Sequence, residues 1–216
     1  LGEIISNYAA KKSLAILEEL LHKFERLGRV VDADLREAFI SNIRRAPPLT
    51  PDQNDLVKRC LQLENVDAGE FKEINSEDYR IKFFQKYDPT IVGEKNVAVG
   101  KAAAKIDASA EEVLAWRWDW CSNDKLMIHR GDPKSISRSV IKLIGKNEAI
   151  LQTTKTFPLF FNNRRFVVRS IWSGPDTDGS YLYCWESFVG DLPGIELDSS
   201  CIRADSRGFV KIKQLG

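Results

Sequence analysis

The chain has 216 residues, of which 43% are hydrophobic and 29% charged, enough to bury one sizeable core or one domain with a helical appendage. Its 32 Lys and Arg offset 31 Asp and Glu, so no global field draws it to nucleic acid or to an anionic membrane, and any membrane contact has to be local and peripheral. No apolar run approaches the roughly 18–20 residues that cross a bilayer, and the N-terminus lacks the basic-then-apolar order of a signal peptide, which points to a cytoplasmic location.

The chain begins at Leu1, so an excerpt of a longer protein is expected. Over residues 7–27, Tyr8, Leu14, Leu17, Leu20, Leu21 and Phe24 recur at spacings of three and four. That spacing predicts an amphipathic helix ended by Gly28. A second helix is expected over residues 34–43, where Leu35, Phe39 and Ile43 share a stripe, Asp34 caps the start and Ala46-Pro47-Pro48 stops the chain. Thr50-Pro51-Asp52 reads as the opening of a third, with a capping hydroxyl, a proline where no N–H is needed and a carboxylate facing the dipole. Leu56, Cys60 and Leu63 supply its buried side.

After Asn65 the texture changes to short aromatic and β-branched segments separated by Gly, Asp, Asn and Pro, the pattern of antiparallel strands. A boundary there divides a helical segment, residues 1–65, from a sheet domain, residues 66–216. Strands are expected over residues 71–74, 81–87 and 96–106. Ser109 then caps a helix carrying Val113, Leu114, Trp116, Trp118 and Trp120, with Glu111 and Glu112 at its positive end. Further strands are expected over residues 137–143, 149–155, 165–172, 180–189, 201–204 and 209–213. Residues 144–147, 174–179 and 205–208 carry the Gly, Asp, Asn and Pro of chain reversals. Strands, one helix and a long meander make an α+β domain in which a curved antiparallel sheet wraps around helices.

Little here suggests chemistry. Cys60, Cys121, Cys184 and Cys201 are far apart, with neither a C-x-x-C pair nor a His run, so buried free thiols are expected in place of a metal site or a disulfide framework. His22 and His129 have no neighbours at triad or metal-site spacing. Asp119, Asp124 and Glu186 pair as acid and base only if the fold brings them together, and solvated salt bridges are the commoner use. No G-x-S-x-G, P-loop or H-E-x-x-H motif occurs. No cofactor is implied and the chain is not expected to be an enzyme. Arg164, Arg165 and Arg169 with Phe166 form a small basic cluster that suits structural salt bridges, a phosphate-bearing lipid head or an acidic partner; the even charge balance argues against nucleic acid. Trp116, Trp118 and Trp120 cannot all face one side of a helix, so at least one should turn toward solvent, a partner or a membrane interface.

Phe157-Pro-Leu-Phe-Phe-Asn-Asn-Arg-Arg-Phe-Val-Val-Arg-Ser-Ile-Trp172 resembles the core signature of the START lipid-binding family, a proline-containing lead-in followed by Asn-Arg-Asp-Phe-Val and an aromatic strand end. Residues 106–116, IDASAEEVLAW, resemble the opening of that family's middle helix, and residues 178–187, DGSYLYCWES, its next strand. Residues 201–204, CIRA, resemble its short arginine-containing strand. The resemblance covers about residues 66–216. It implies a helix-grip fold whose sheet closes over a long C-terminal helix around a cavity for one sterol, phospholipid, ceramide or fatty-acyl ligand. On that pattern the chain should lack the C-terminal helix. Arg165 stands where the family has an acid, so a local acid–base pairing is not carried over.

Alternation along residues 166–172 puts Phe166, Val168, Ser170 and Trp172 on one face and Val167, Arg169 and Ile171 on the other. The first set, with Trp185 and with Arg164 for the polar end, is the candidate ligand wall; a packed core is the other use of the same side chains. Burying acyl methylenes against such a wall contributes about 0.8 kcal/mol each. Ser170 is the one polar group on the Phe166 face, which favours an apolar or weakly polar ligand end. The expected function is therefore non-enzymatic lipid binding or transfer, for example as a sensor module of a larger protein. The alternative is a protein-interaction scaffold that uses the N-terminal helices and carries no lipid.

Overall fold

The computed structural model describes residues 40–41, 43–65, 71–76, 78–88, 97–121, 125–126, 130–131, 135–156, 162–190 and 201–215. The helix expected over residues 7–27 lies outside them. Of the helix expected over 34–43, the described residues Ile40, Ser41 and Ile43 are helical.

The described residues fall into two compact units. The first is a three-stranded antiparallel sheet of β1 (Lys72–Ile74), β2 (Ile81–Asp88) and β3 (Val97–Ala104), with β2 in the middle. Pairing sets Ile74 and Ala102 beside Phe83. Ile81 and Phe83 are buried there with Ile74 and Ile106 against them.

The second unit joins residues 34–65 to residues 109–216. Its six-stranded sheet comprises β4 (Ser135–Leu143), β5 (Glu148–Lys155), β6 (Asn163–Ser173), β7 (Tyr181–Ser187), β8 (Cys201–Arg203) and β9 (Arg207–Ile212). The order is β4-β5-β6-β7-β9, and β8 pairs with the start of β6. All pairings are antiparallel except that of β8, which runs parallel to β6 with Asn163 opposite Cys201. Residues 201–204 were expected to belong to an antiparallel meander. A three-residue strand carries too little alternation to fix its direction, and its partner here is remote in sequence.

Two helices cover the two faces of this sheet. Helix α1 (Pro51–Leu61) opens with a reciprocal capping box. The Gln53 N–H donates to Thr50 Oγ1 (3.3 Å) and the Thr50 N–H to Gln53 Oε1 (3.0 Å). Leu56 and Cys60 are fully buried against Ile171, Leu182 and Cys184. Polar clamps fix the helix at both ends. Gln53 Nε2 donates to Glu148 Oε2 at 2.6 Å, and Arg169 reaches both Glu148 (2.7 Å) and Asp52 (2.6 Å). At the other end Arg59 forks onto the Glu186 carboxylate at 3.0 and 2.6 Å.

Helix α2 (Ala110–Trp118) begins with a second capping box between Ser109 and Glu112. Its Ala110 and Leu114 pack with Ile43, Trp172, Tyr181, Tyr183 and Ile212. Alternation therefore sorts the sheet into an α1 face (Arg169, Ile171, Leu182, Cys184, Glu186) and an α2 face (Val168, Trp172, Tyr181, Tyr183, Ile212).

Candidate functional site

The α2 face carries the residues singled out from sequence. Strand registry places Leu151 opposite Val168, Ala149 opposite Ser170, Trp185 opposite Ser170 and Tyr183 opposite Trp172. Val168 is buried with Ala149 and Leu151, and Trp118, Trp120 and Trp185 pack against them. Trp172 meets Trp118 edge-on at 6.4 Å between ring centroids, and Trp118 meets Tyr183 in the same way at 6.5 Å. Trp185 leans over Gly208, where a Cβ would lie 2.4 Å from the indole Cζ2, and donates its N–H to Ser206 Oγ at 3.0 Å. Only a glycine lets the ring lie that flat.

Phe166 is half-buried opposite Thr153. Arg164, at the strand start, lies between Lys155 and Ile202 in register and donates to the Asn162 carbonyl at 2.9 Å. It therefore sits at the far end of the wall from Trp172. Ser170 is wholly buried, and neither its Oγ nor the Trp172 Nε1 has a hydrogen-bond partner among the described residues.

The other sequence candidates separate. Alternation puts Arg165 and Arg169 on the opposite face from Arg164, and Arg169 is bound to Glu148 and Asp52. Burial alone would pull the Arg169 guanidinium down, but the hydrogen bonds it donates to these two carboxylates hold it above its ordinary value. Glu186 pairs with Arg59 on the α1 face, whereas Asp119 caps the end of α2; Asp124 lies outside the described residues. Among the described residues no three His, Cys, Asp or Glu side chains converge as a metal site. None of the four cysteines is joined in a disulfide; Cys60 and Cys184 are buried, Cys121 and Cys201 half-buried.

Sequence reasoning passed over a group of cations at the end of α2. The helix stops at Trp118 because Asp119 leaves helical geometry (φ −68°, ψ 80°). Trp120 is thus freed from helical spacing, and it packs in the same cluster as Trp118 while its indole N–H reaches the Gln152 carbonyl at 3.4 Å. All three tryptophans are half-buried. Arg117 lies against the rings of Tyr183 (4.8 Å), Trp185 (5.4 Å) and Trp120 (5.8 Å), measured to centroids, and Arg138 of β4 lies over Trp120 at 3.6 Å. Arg138 Nε donates to the Trp120 carbonyl at 2.6 Å. The Lys125 ammonium sits 4.2 Å from the Trp116 ring centre and donates to the carbonyls of Trp116 and Asp119.

These cations crowd one another away from water. Burial first, then the neighbouring Arg117, pulls the Arg138 guanidinium down to about 10. Burial, then Arg138 and Arg117, pulls the Lys125 ammonium down to about 6. The signal in the sequence was the Trp-Arg-Trp-Asp-Trp run over residues 116–120, a cation set among indoles.

No protein-family model matches the chain, and no curated protein matches it significantly. Solved structures do. The human StarD13 lipid transfer and protein localization domain matches with a TM-score of 0.50 at 16% identity, covering 79% of this chain and 78% of that one. Human StAR-related lipid transfer protein 5 matches with a TM-score of 0.51 at 15% identity, covering 71% and 68%. The chain has a START-like fold. Human STARD10 gives a TM-score of 0.54 at 16% identity, over 80% of this chain and 65% of that one. The mostly antiparallel START-like sheet, with its helices, bears out the α+β helix-grip class expected from residues 157–172 and their neighbours. At this level of identity the likeness establishes the fold alone.

Proposed function

We propose that this chain binds one lipid molecule, without catalysis, on the α2 face of its larger sheet. Phe166, Val168, Ser170, Trp172 and Trp185 form the wall, and Arg164 stands at its polar margin. The observation that carries the reading is the START-like fold shared with domains that are lipid transfer proteins by name. Two features of the face support it. Its residues are aromatic and aliphatic, suited to acyl or ring carbons, and Ser170 Oγ and Trp172 Nε1 are buried polar groups with no partner among the described residues. Such groups suit a ligand whose few polar atoms fix its orientation.

The α1 helix weakens the scaffold alternative in one respect. Leu56 and Cys60 are spent on the chain's own sheet, so that stripe is not free to dock a partner. Peripheral contact with a membrane while lipid is exchanged, and a cytoplasmic location, go with this reading.

The test is mass spectrometry of organic extracts from the purified chain, before and after incubation with vesicles of mixed sterol, phospholipid and fatty-acid composition. One lipid class recovered at near-stoichiometric amount supports the proposal. A folded chain that carries no lipid and takes none up from the vesicles overturns it.

A further inference from the structure

The wall residues read from sequence are nearly neutral, and Ser170 alone would orient only a weakly polar ligand end. The end of α2 changes that expectation. Arg117 and Arg138 both lie against the Trp120 ring on the α2 face, beside Tyr183 and Trp185. Pairing of Arg138 with Thr153 puts it on the same side of the sheet as Leu151 and Val168. Among the described residues neither arginine has an ion-pair partner, and the Arg117 Nε is buried without any hydrogen-bond partner. Every other arginine of this unit with an ion pair to show, Arg44, Arg59 and Arg169, has it with a carboxylate of the fold itself.

Burying a guanidinium costs several kcal/mol unless an anion and hydrogen-bond acceptors compensate it. Cation–π contact offsets only part of that. Two half-buried guanidiniums that also repel one another are matched, among the described residues, by aromatic rings and one carbonyl. Asp119 is within electrostatic range of Arg138 yet forms no ion pair with it. Among the described residues no carboxylate pairs with them, and the guanidinium fork suits carboxylate and phosphate alike.

We propose that Arg117 and Arg138 together receive the anionic head, a carboxylate or a phosphomonoester, of the lipid bound along Val168 and its neighbours. This rests on the lipid-binding reading and narrows its ligand class to acidic lipids. Arg138 stands level with Phe166, two residues along from Arg164, so Arg164 flanks this head site and is assigned no role in it.

The experiment measures uptake by the whole chain of matched pairs: palmitic acid against hexadecanol, and dioleoyl phosphatidic acid against dioleoylglycerol, each offered in phosphatidylcholine vesicles. Inorganic phosphate is tested as a competitor. A hydrogen bond to a charged partner is worth about 1.5–3 kcal/mol, so the acidic member of each pair should be preferred by about tenfold or more. Arg117→Met and Arg138→Gln should each remove most of that preference while uptake of the neutral member persists. Arg117→Lys, which keeps the charge, should restore part of it, and far-ultraviolet circular dichroism verifies folding of each variant.

Equal uptake of acidic and neutral members overturns the head-group assignment while leaving lipid binding intact. Inorganic phosphate that displaces the acidic lipid at equal concentration overturns it in favour of a free-anion site. Uptake of no lipid by the folded chain removes both proposals together.

Discussion

Replacing Leu56 by Ala tests whether α1 is part of the folded core or a dispensable appendage. Leu56 has no exposed surface and packs against Ile171, Leu182 and Cys184, with Cys60 one helical turn away. Buried Leu→Ala changes cost about 2–5 kcal/mol, more where the surroundings cannot close the cavity. Here the sheet is held by its hydrogen-bond ladder, and the helix is pinned by Arg59–Glu186 and Gln53–Glu148. Little collapse is open to it, so about 3–4 kcal/mol is expected. Urea denaturation followed by tryptophan fluorescence should show the midpoint falling by about 1.5–2 M if the slope is about 2 kcal/mol per molar. Lipid uptake per folded molecule should not change, because Leu56 lies on the α1 face. A loss below about 1 kcal/mol with an unchanged slope would refute the packing of α1 on this sheet.

Gly208→Ala places a methyl against the Trp185 indole, 2.4 Å from Cζ2, and overpacking of this kind costs about 1–3 kcal/mol; the fluorescence maximum should shift with the displaced ring, and an unshifted spectrum at full stability would count against the close approach. Ser170→Ala removes a buried hydroxyl that lacks a partner among the described residues, so the unliganded chain should be unchanged or up to about 1 kcal/mol more stable in urea, and a loss above about 1 kcal/mol would mean that the hydroxyl is bonded. Lys125 is held near pKa 6 in the folded chain against 10.5 ordinarily. Between those values the unfolded chain binds the extra proton, so stability should rise with pH from about 6 to 10.5, by about 1 kcal/mol per pH unit at most. Lys125→Met should flatten that slope in melting curves across pH 6–9, and an unaltered slope would show the ammonium to be solvated.

Much of the fold was legible because local rules and tertiary packing agree. Thr50-Pro51 and Ser109 announce helix starts, and both positions cap helices through reciprocal boxes. Alternation in residues 166–172 assigned faces correctly because each face is buried against a different helix. What escaped depends on depth or on distant partners. The parallel pairing of β8 is set by residues 163–165, far away in the chain. Arg164, Arg165 and Arg169 look like one cluster in sequence, but adjacent strand positions point to opposite faces. Arg117 and Arg138 were passed over in sequence, since spacing alone does not tell how far α2 and β4 cover them. The early stop of α2 at Trp118, which lets Trp118 and Trp120 join one cluster, follows from the backbone turn at Asp119.

The most direct measurement is photocrosslinking of the whole chain with a fatty acid carrying a diazirine midway along its acyl chain, followed by peptide mapping of the labelled sites. Labels should fall on alternate residues of β6 and β7, at Phe166, Val168, Tyr183 or Trp185, and at Trp118 or Trp120. Labels confined to α1 or to Arg169, Ile171 and Cys184, or no specific label on a folded chain, would contradict a lipid held on the α2 face.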